Sequence, residues 1–384
     1  MRKILFLLAF IFQFVLAQEA EVTNVTAAQR TDGSKQVDIT YDLTEDTLFT
    51  FFIVNIEVSF DGGVTYTPTN YVTGDCGMGI GPGIGKVIVW NIGWEYNDTF
   101  DEDVKVKVIA TGYIAGELPF EFVTVPAGDY TYGPGDTVLT IDYDYEIMKY
   151  LVTNAQYAEF LIEAYETGEV WFDGGEFVAG FYTGDEHYAM GNYYLFQLDR
   201  FPEFGYNYGT ISWNGTTFIV TEGYGNHPCI HVSWFGAWKF AEHYGLLRLP
   251  TEHEWEKAAR GNTGYTFPWG NDYDGSMGNY AGSGDPWDEG TTPVGFYNGQ
   301  NYEGFQTTDS PSQFGAYDMA GNVWEWTGSW YDCPHHHRAF RGGGWTDPNY
   351  QVWVCNPGDQ NHAHWYPTAH ANNRGFRLVR PISE

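Results

Sequence analysis

The chain has few basic residues and few cysteines for its length. Lys and Arg number 18 against 50 Asp and Glu in 384 residues, which gives a formal net charge of −32 at pH 7. Phosphate backbones repel so acidic a chain, which excludes nucleic-acid binding. Four cysteines are too few for a dense disulfide framework. Aromatic residues make up 18% of the chain and there are 47 Gly, a composition that excludes disorder and predicts a β-rich or loop-rich protein.

The only stretch apolar enough for a membrane lies at the N-terminus. Arg2 and Lys3 precede an apolar run over residues 4–16, and Val15 and Ala17 stand three and one residues before a predicted signal-peptidase cut. The run is short for a spanning helix and no basic residues follow it, so we expect no membrane-spanning segment. The sequence predicts a signal peptide over residues 1–17 and a secreted, periplasmic or cell-surface protein.

The cysteine positions leave the disulfides undecided. Cys76 stands alone in the N-terminal third, whereas Cys229, Cys333 and Cys355 lie in the remainder. Export permits disulfides, and a bridge between Cys333 and Cys355 is one alternative. Buried free thiols are the other.

Residues 18–114 are predicted to form an all-β sandwich of immunoglobulin or fibronectin type. Apolar and polar residues alternate over 37–41, 86–90 and 104–108, and glycine-containing turns separate the runs. The glycine-rich stretch 77–85 lacks the spacing of a phosphate-binding loop, because Ile80 and Val87 occupy positions that require Gly and Ser or Thr. We interpret this stretch as a flexible loop.

Residues 115–384 are predicted to form an irregular α+β domain. A helix is expected over 153–165, where apolar residues recur at helical spacing, and a second one over 234–243. A third helix is expected from Thr251, whose side chain and that of Glu254 form a capping box, to Gly261. A zinc-protease motif is excluded because Lys257 stands where its second His is required.

The segment after Gly261 is rich in aromatics and has no long period of regular structure. Such segments are usually stabilised by disulfides or bound ions, so we predict a bound cation here. In an extended chain Trp324 and Trp326 face one way and Glu325 the other. A carboxylate buried there needs a cation or hydrogen-bond donors, and Asp318 together with nearby turn carbonyls could complete a calcium shell. The alternative is a Glu325 bonded to backbone amides or to an arginine.

Several motifs together resemble the formylglycine-generating-enzyme family, also called the sulfatase-modifying-factor family. They are VTNAQYAEFL (152–161), HVSWFGA (231–237), RLPTEHEWEKAARG (248–261), FPWGN (267–271), YDMAGNVWEW (317–326), FRGGGW (340–345) and NNRGFRLVR (372–380). The resemblance covers roughly residues 119–384 and implies a C-type-lectin-like fold with little regular structure. The N-terminal module resembles those fused to this domain in secreted bacterial proteins.

The family's oxidase chemistry requires two cysteines, and this chain has other residues at the corresponding positions. The family's enzymes oxidise a sulfatase cysteine to formylglycine, using oxygen and a copper ion held by two cysteines. Those positions correspond here to Asp347 and Val352. A carboxylate and an isopropyl group cannot replace the thiolates that hold copper, so we expect neither copper nor catalytic residues. The sulfoxide synthases of the family need an iron-binding helical domain, and no segment here matches it. An oxidoreductase of the formylglycine-generating type, or one with altered metal chemistry in the same cleft, is the alternative.

The resemblance implies structural calcium at two places. One family site maps to Asp318, Gly321, Val323 and Glu325, the cluster already indicated by burial. A second begins at Asn279 and Tyr280, and its later ligands would come from Asp285 or Asp288.

The family's peptide cleft implies a binding surface in the segment between Trp345 and Asn372. The candidate ligand-binding residues are Trp345, Asp347, Trp353, His362, His364, Trp365 and Tyr366. Aromatics mixed with polar residues are typical of adaptable binding surfaces, so we expect an extracellular protein or glycan as partner. Ordinary loop and core packing is the alternative. The run His335-His336-His337 is interpreted as a solvated loop.

Overall fold

The computed structural model describes residues 18–19, 21–44, 51–68, 72–92, 104–113, 118–172, 174–185, 187–198, 210–245, 247–287, 289–331, 337–348, 352, 354 and 364–382. The chain divides into two compact units, Met1–Glu117 and Leu118–Glu384. The predicted signal peptide lies outside the described residues. Within the described ranges, no helix is both long and apolar enough to cross a membrane.

The N-terminal unit consists of two antiparallel sheets. Its strands are β1 (Gln18–Glu19), β2 (Val22–Gln29), β3 (Val37–Leu43), β4 (Phe51–Ser59), β5 (Thr67–Pro68), β6 (Val72–Gly74), β7 (Gly77–Ile80), β8 (Gly83–Trp90) and β9 (Lys105–Tyr113). One sheet has the order β1-β9-β4-β5, with β7 also paired to β4, and the other has the order β2-β3-β8-β6.

Alternation in the sequence decides which face of each strand is buried. Along β3, Val37, Ile39 and Tyr41 are fully buried while the residues between them are half-buried. They share one apolar cluster with residues of the other sheet, including Phe52 and Val54 of β4. The prediction of a β-rich N-terminal region is confirmed, and its assignment to the immunoglobulin or fibronectin type stays a prediction.

The interpretation of residues 77–85 as a flexible loop was wrong. Residues Gly77–Ile80 form β7 and pair with β4, and Gly83 begins β8. Glycine is compatible with an extended backbone, and the neighbouring strands supply the hydrogen bonds that hold it there.

The C-terminal unit combines three helices with short strands. The helices are α1 (Asn154–Thr167), α2 (Trp234–Tyr244) and α3 (Glu252–Arg260). The strands are β10 (Phe122–Val125), β11 (Gly128–Tyr132), β12 (Thr137–Ile141), β13 (Tyr145–Met148), β14 (Val170–Phe172), β15 (Phe177–Tyr182), β16 (Gly191–Gln197), β17 (Ile211–Trp213), β18 (Phe218–Val220), β19 (Asn301–Tyr302), β20 (Phe305–Gln306), β21 (Trp324–Trp330), β22 (Arg338–Arg341), β23 (His364–Trp365), β24 (Arg374–Gly375) and β25 (Val379–Pro381).

All three predicted helices form, and their caps explain their boundaries. Thr153 caps α1 and Gln156 completes a capping box that the sequence reading had not noted. Thr251 and Glu254 form the expected box at α3, which ends at Gly261. The irregular α+β architecture with little helix is therefore confirmed.

The strand β21 separates two apolar clusters. Trp324 and Trp326 pack with Phe340 in a cluster that also contains α1 and α2. Glu325 points the other way, toward Trp255 of α3 in the second cluster. The expected alternation of this strand is thus present, and it carries a charged side chain into the interior.

Of the cysteines, the structure describes Cys76, which is half-buried and free, and Cys229, which is buried and free. Burial raises the pKa of the Cys229 thiol, so it behaves as an inert core residue. Cys333 and Cys355 lie outside the described residues, and the bridge between them stays a prediction.

Candidate functional site

The candidate site lies in the sheet β23-β22-β21-β24 and in the glycine turn that follows β22. Gly343 in this turn has a positive φ of 74°. A Cβ on Gly343 would lie 2.6 Å from Cγ1 of Val352, so both the backbone conformation and the close approach require glycine.

Val352, which the sequence analysis assigns to the second cysteine position, is a core residue. Its side chain is 1% exposed and belongs to the apolar cluster that contains Trp255 and Val354. This position therefore contributes packing and offers no metal-ligating atom.

Asp347, which the sequence analysis assigns to the first cysteine position, is held in place by hydrogen bonds. Its Oδ2 accepts from the Trp324 indole at 2.6 Å and from the Gly344 amide at 2.9 Å. Its backbone carbonyl accepts from the Ala281 amide at 3.0 Å. The carboxylate thus ties the turn to β21.

Trp345 is buried and does not present its ring to solvent. Its side chain is 8% exposed, and its indole N–H donates to the Asn372 carbonyl at 3.1 Å. The Asn373 side chain donates to Thr346 Oγ1 at 2.9 Å, so the two chain segments are joined on both sides.

Trp365 and Tyr366 are the exposed aromatics of the predicted binding set, at 45% and 54% exposure. Trp365 covers the guanidinium of Arg374, whose central carbon lies 4.9 Å from the ring centroid. The same guanidinium carbon lies 5.0 Å from the ring centroid of Phe340. Burial lowers the pKa of Arg374 to about 10, with Asp347 opposing the shift.

A second group of rings adjoins Tyr366. His364 stacks on Tyr331 with 3.8 Å between ring centroids, and His337 lies 4.9 Å from His364 and 4.5 Å from Tyr366. His337 had been interpreted as part of a solvated loop, but it packs among these rings. His335 and His336 lie outside the described residues.

Five of the seven predicted binding residues are among those that the structure describes. Trp353 and His362 lie outside the described residues. Sequence reasoning did not single out Arg374, Tyr331 or His337 as parts of this surface. The signal for Arg374 was present in the NNRGFRLVR motif, where an arginine follows two asparagines.

Glu325 forms an ion pair with an arginine, which was the alternative to calcium in the sequence analysis. Arg377 donates to both carboxylate oxygens, Nε to Oε2 at 2.7 Å and Nη2 to Oε1 at 2.8 Å. The Trp255 indole donates to Oε2 at 2.9 Å. Both charged side chains are fully buried. Of about four lone-pair positions, one on Oε1 is left for another ligand.

Asp318 lies close enough for its charge to interact with those of Glu325 and Arg377. Its Oδ2 accepts from the Gly295 amide at 2.7 Å. Burial raises the pKa of Asp318 to about 6, and the Gly295 hydrogen bond opposes this shift. Gly321 has a φ of 83° in the turn between Asp318 and β21, and Val323 is fully buried.

Asn279 and Tyr280 adjoin that turn. The Asn322 amide donates to the Asn279 carbonyl at 2.7 Å, and Asn279 Nδ2 donates to the Gly290 carbonyl at 2.9 Å. Asn279 Oδ1 is buried and has no hydrogen-bond partner among the described residues. Tyr280 packs against Tyr273 with 4.2 Å between centroids.

Asp285, the other described candidate near Asn279, is 4% exposed. Its oxygens accept from Ser283 Oγ at 2.6 Å and the Trp287 amide at 2.7 Å. Asp288 lies outside the described residues. In the described part of the chain no group of three or more His, Cys, Asp or Glu side chains is arranged to hold a metal.

Sequence comparison identifies the family. The profile of the "Sulfatase-modifying factor enzyme 1-like domain" matches residues 116–382. The chain belongs to the sulfatase-modifying factor family. The resemblance inferred from the motifs is thereby confirmed for the C-terminal unit, whereas the N-terminal region matched no part of this profile.

Several relatives of the sulfatase-modifying factor domain match parts of the chain. The mouse (Mus musculus) formylglycine-generating enzyme is 29% identical over 245 residues, which cover 59% of this chain and 63% of that enzyme. The "Inactive C-alpha-formylglycine-generating enzyme 2" of Bos taurus is 39% identical over 125 residues, 31% of this chain and 39% of that protein. The serine/threonine-protein kinase Pkn1 of Chlamydia trachomatis serovar L2 is 35% identical over 182 residues, 43% of this chain and 26% of the kinase. The chain therefore spans less than two thirds of the length of these relatives.

Two solved structures are similar at a low level. CarF has a TM-score of 0.44 and 22% identity, and the match covers 69% of this chain and 99% of CarF. PvdO from Pseudomonas aeruginosa has a TM-score of 0.44 and 20% identity, covering 68% of this chain and 94% of PvdO. At this level the similarity carries no argument about function.

Proposed function

We propose that this chain is a secreted, non-catalytic member of the sulfatase-modifying factor family that binds an extracellular protein or glycan. The observation that carries the proposal is the exposure of the Trp365 and Tyr366 rings, at 45% and 54%. Exposed rings held by a rigid scaffold are typical of recognition surfaces. The N-terminal sheets are proposed as a sandwich module that positions this domain.

The absence of oxidase chemistry follows from the two cysteine positions. Copper does not fit them, because the Asp347 carboxylate is engaged by Trp324 and Gly344 and the Val352 side chain is buried in the core. Neither supplies the soft thiolate that Cu(I) requires. One relative is named an inactive formylglycine-generating enzyme, which supports the view that the domain can serve without this activity.

We expect no formylglycine formation by the purified protein. The measurement is aldehyde detection on a sulfatase-motif peptide incubated with the protein, copper and a reductant. A heat-killed sample is the control, and aldehyde above that background would contradict the assignment of Asp347 and Val352 to the thiol positions.

Structural calcium is part of the proposal. Asp318 and the lone pair left on Glu325 Oε1 could supply two oxygens, with Gly321 and Val323 offering carbonyls. The buried, unpartnered Oδ1 of Asn279 fits an oxygen ligand at the second place. Arg377 already neutralises Glu325, so Asp318 is the residue on which a calcium ion would have the larger effect.

We therefore expect Asp318→Asn to remove most of the effect of a chelator on the melting temperature. Calcium that binds only the folded state adds about 2.7 kcal/mol at one hundred times Kd. In chelator the variant should melt at or above the wild type, because it buries no carboxylate, and in calcium it should melt several degrees lower. Identical wild-type melting with and without chelator would show that calcium is not the staple.

Replacing Trp365 by alanine should weaken ligand binding and leave stability nearly unchanged. Loss of a central aromatic contact costs a ligand about 2 kcal/mol or more, whereas surface substitutions change stability by about 0.5 kcal/mol. Trp345→Ala is the matched control, since its buried ring should cost about 3–5 kcal/mol of stability. Binding is scored by glycan array and secretome pull-down, and melting by calorimetry. Undiminished binding by folded Trp365→Ala protein would refute this surface.

A further inference from the structure

The side chain of Arg374 has no hydrogen-bond partner among the residues that the structure describes. Its buried Nε has no partner, and none of its N–H groups donates to an acceptor in the described part of the chain. A guanidinium carries five donors, and desolvating it without acceptors is costly. The buried Arg377, by contrast, donates to the Glu325 carboxylate.

Two rings hold the Arg374 guanidinium instead. Its central carbon lies 5.0 Å from the buried Phe340 ring and 4.9 Å from the half-exposed Trp365 ring. Contact with ring faces engages the π-face of the guanidinium and leaves its in-plane donors for an acceptor. The two rings therefore fix the orientation of the guanidinium, and its N–H donors are available to an acceptor from a ligand.

The nearest acid does not complete the pair. The charge of Asp347 partly offsets the lowering of the Arg374 pKa by burial. Its Oδ2, however, already accepts from the Trp324 indole and the Gly344 amide. Arg374 stays charged at neutral pH, since burial lowers its pKa only to about 10.

The geometry points to a carboxylate as the missing acceptor, supplied by an acidic sugar. We propose that Arg374 binds the carboxylate of one uronic-acid unit in an oligosaccharide whose neighbouring sugar ring packs on Trp365. A planar carboxylate matches the guanidinium fork, and sugars present C–H faces that pack on exposed aromatic rings. The net charge of −32 disfavours polyanions and therefore favours a ligand with a single carboxylate. This inference rests on the proposed function and names its ligand class.

The test uses calorimetric titration of the full chain with three probes. They are a trisaccharide with one terminal glucuronic acid, the same trisaccharide with glucose in that place, and a short peptide with one glutamate. We expect the acidic trisaccharide to bind about tenfold or more tightly than the neutral one, because hydrogen bonds between charged groups are the strong ones. The peptide has no sugar ring that could pack on Trp365, so it should bind more weakly than the acidic trisaccharide.

The variants separate the carboxylate contact from other effects. Arg374→Gln should abolish the preference for the acidic trisaccharide, and Arg374→Lys should keep part of it because the charge remains without the fork. Asp347→Asn should increase the affinity for the acidic trisaccharide a few-fold, since it removes a like charge while keeping an acceptor for Trp324. Arg380→Gln, which removes a charge paired with Glu146 elsewhere in the same unit, should change nothing. Melting curves confirm that each variant is folded.

The outcomes distinguish this inference from the proposed function. Equal affinity for the acidic and neutral trisaccharides would overturn the carboxylate subsite, while Trp365-dependent binding would leave the proposed function standing. Tighter binding of the peptide than of either sugar, or no binding of any probe, would overturn the acidic-sugar ligand. In the last case the pull-down with Trp365→Ala still decides the proposed function by itself.

Discussion

Replacing Glu325 by glutamine is expected to destabilise the protein by about 3–5 kcal/mol, because it leaves Arg377 as a buried charge without its counter-ion. Both side chains are fully buried, and the carboxylate is held by the arginine fork and by the Trp255 indole. Most of this loss should persist in chelator, because the ion pair with Arg377 does not depend on calcium, whereas the loss in Asp318→Asn should appear only in calcium. Denaturant unfolding at pH 7 measures it.

Two further variants make this expectation specific. Glu146→Gln breaks a partly exposed pair with Arg380 and should cost about 1 kcal/mol or less. Glu325→Gln combined with Arg377→Met should lose less than the sum of the two single losses, because each single change strands the other group. A Glu325→Gln protein as stable as wild type would mean that Arg377 is not dependent on this carboxylate.

Gly236→Ala is expected to destabilise the protein by about 1–3 kcal/mol, although alanine is the better helix former. Gly236 lies in the first turn of α2, whose N-cap Ser233 accepts from its amide. A Cβ at this position would overlap the Leu195 carbonyl oxygen and would lie 2.8 Å from the Tyr157 hydroxyl. The clash with backbone cannot be relieved by a side-chain rotation, so α2 would have to move away from β16. Thermal melting measures the loss.

The Tyr157 hydroxyl provides a check on this explanation. It is buried and has no hydrogen-bond partner among the described residues. Tyr157→Phe should therefore be nearly neutral alone and should recover part of the stability lost in Gly236→Ala. The recovery should be incomplete, because the Leu195 carbonyl remains. A Gly236→Ala protein more stable than wild type would show that α2 is not pinned against β16.

Local patterns predicted much of the secondary structure. The alternation at 37–41 and 86–90 marks β3 and β8, and Thr251 with Glu254 marks the start of α3. These signals work because caps and side-chain alternation involve residues only a few positions apart. The glycine-rich 77–85 segment was misread for the same reason: its extended conformation depends on pairing with distant strands.

The site was predicted only in outline. The segment between Trp345 and Asn372 was identified from its aromatics, but the sequence did not distinguish the buried Trp345 from the exposed Trp365. In the structure Trp345 is 8% exposed and its indole N–H donates to the Asn372 carbonyl, whereas Trp365 is 45% exposed. Burial of one aromatic rather than another is decided by contacts that no local pattern encodes.

By itself, the sequence determined the acidic, aromatic-rich composition, the main strands and helices and the family of the C-terminal unit. Only the tertiary structure decided the partners of the charges. Glu325 meets Arg377, 52 residues away, and Arg374 comes to β21 through parallel pairing with Trp324. The physical reason is that a buried charge is stabilised by whichever group the fold places within hydrogen-bond distance, and that distance bears no relation to separation along the chain.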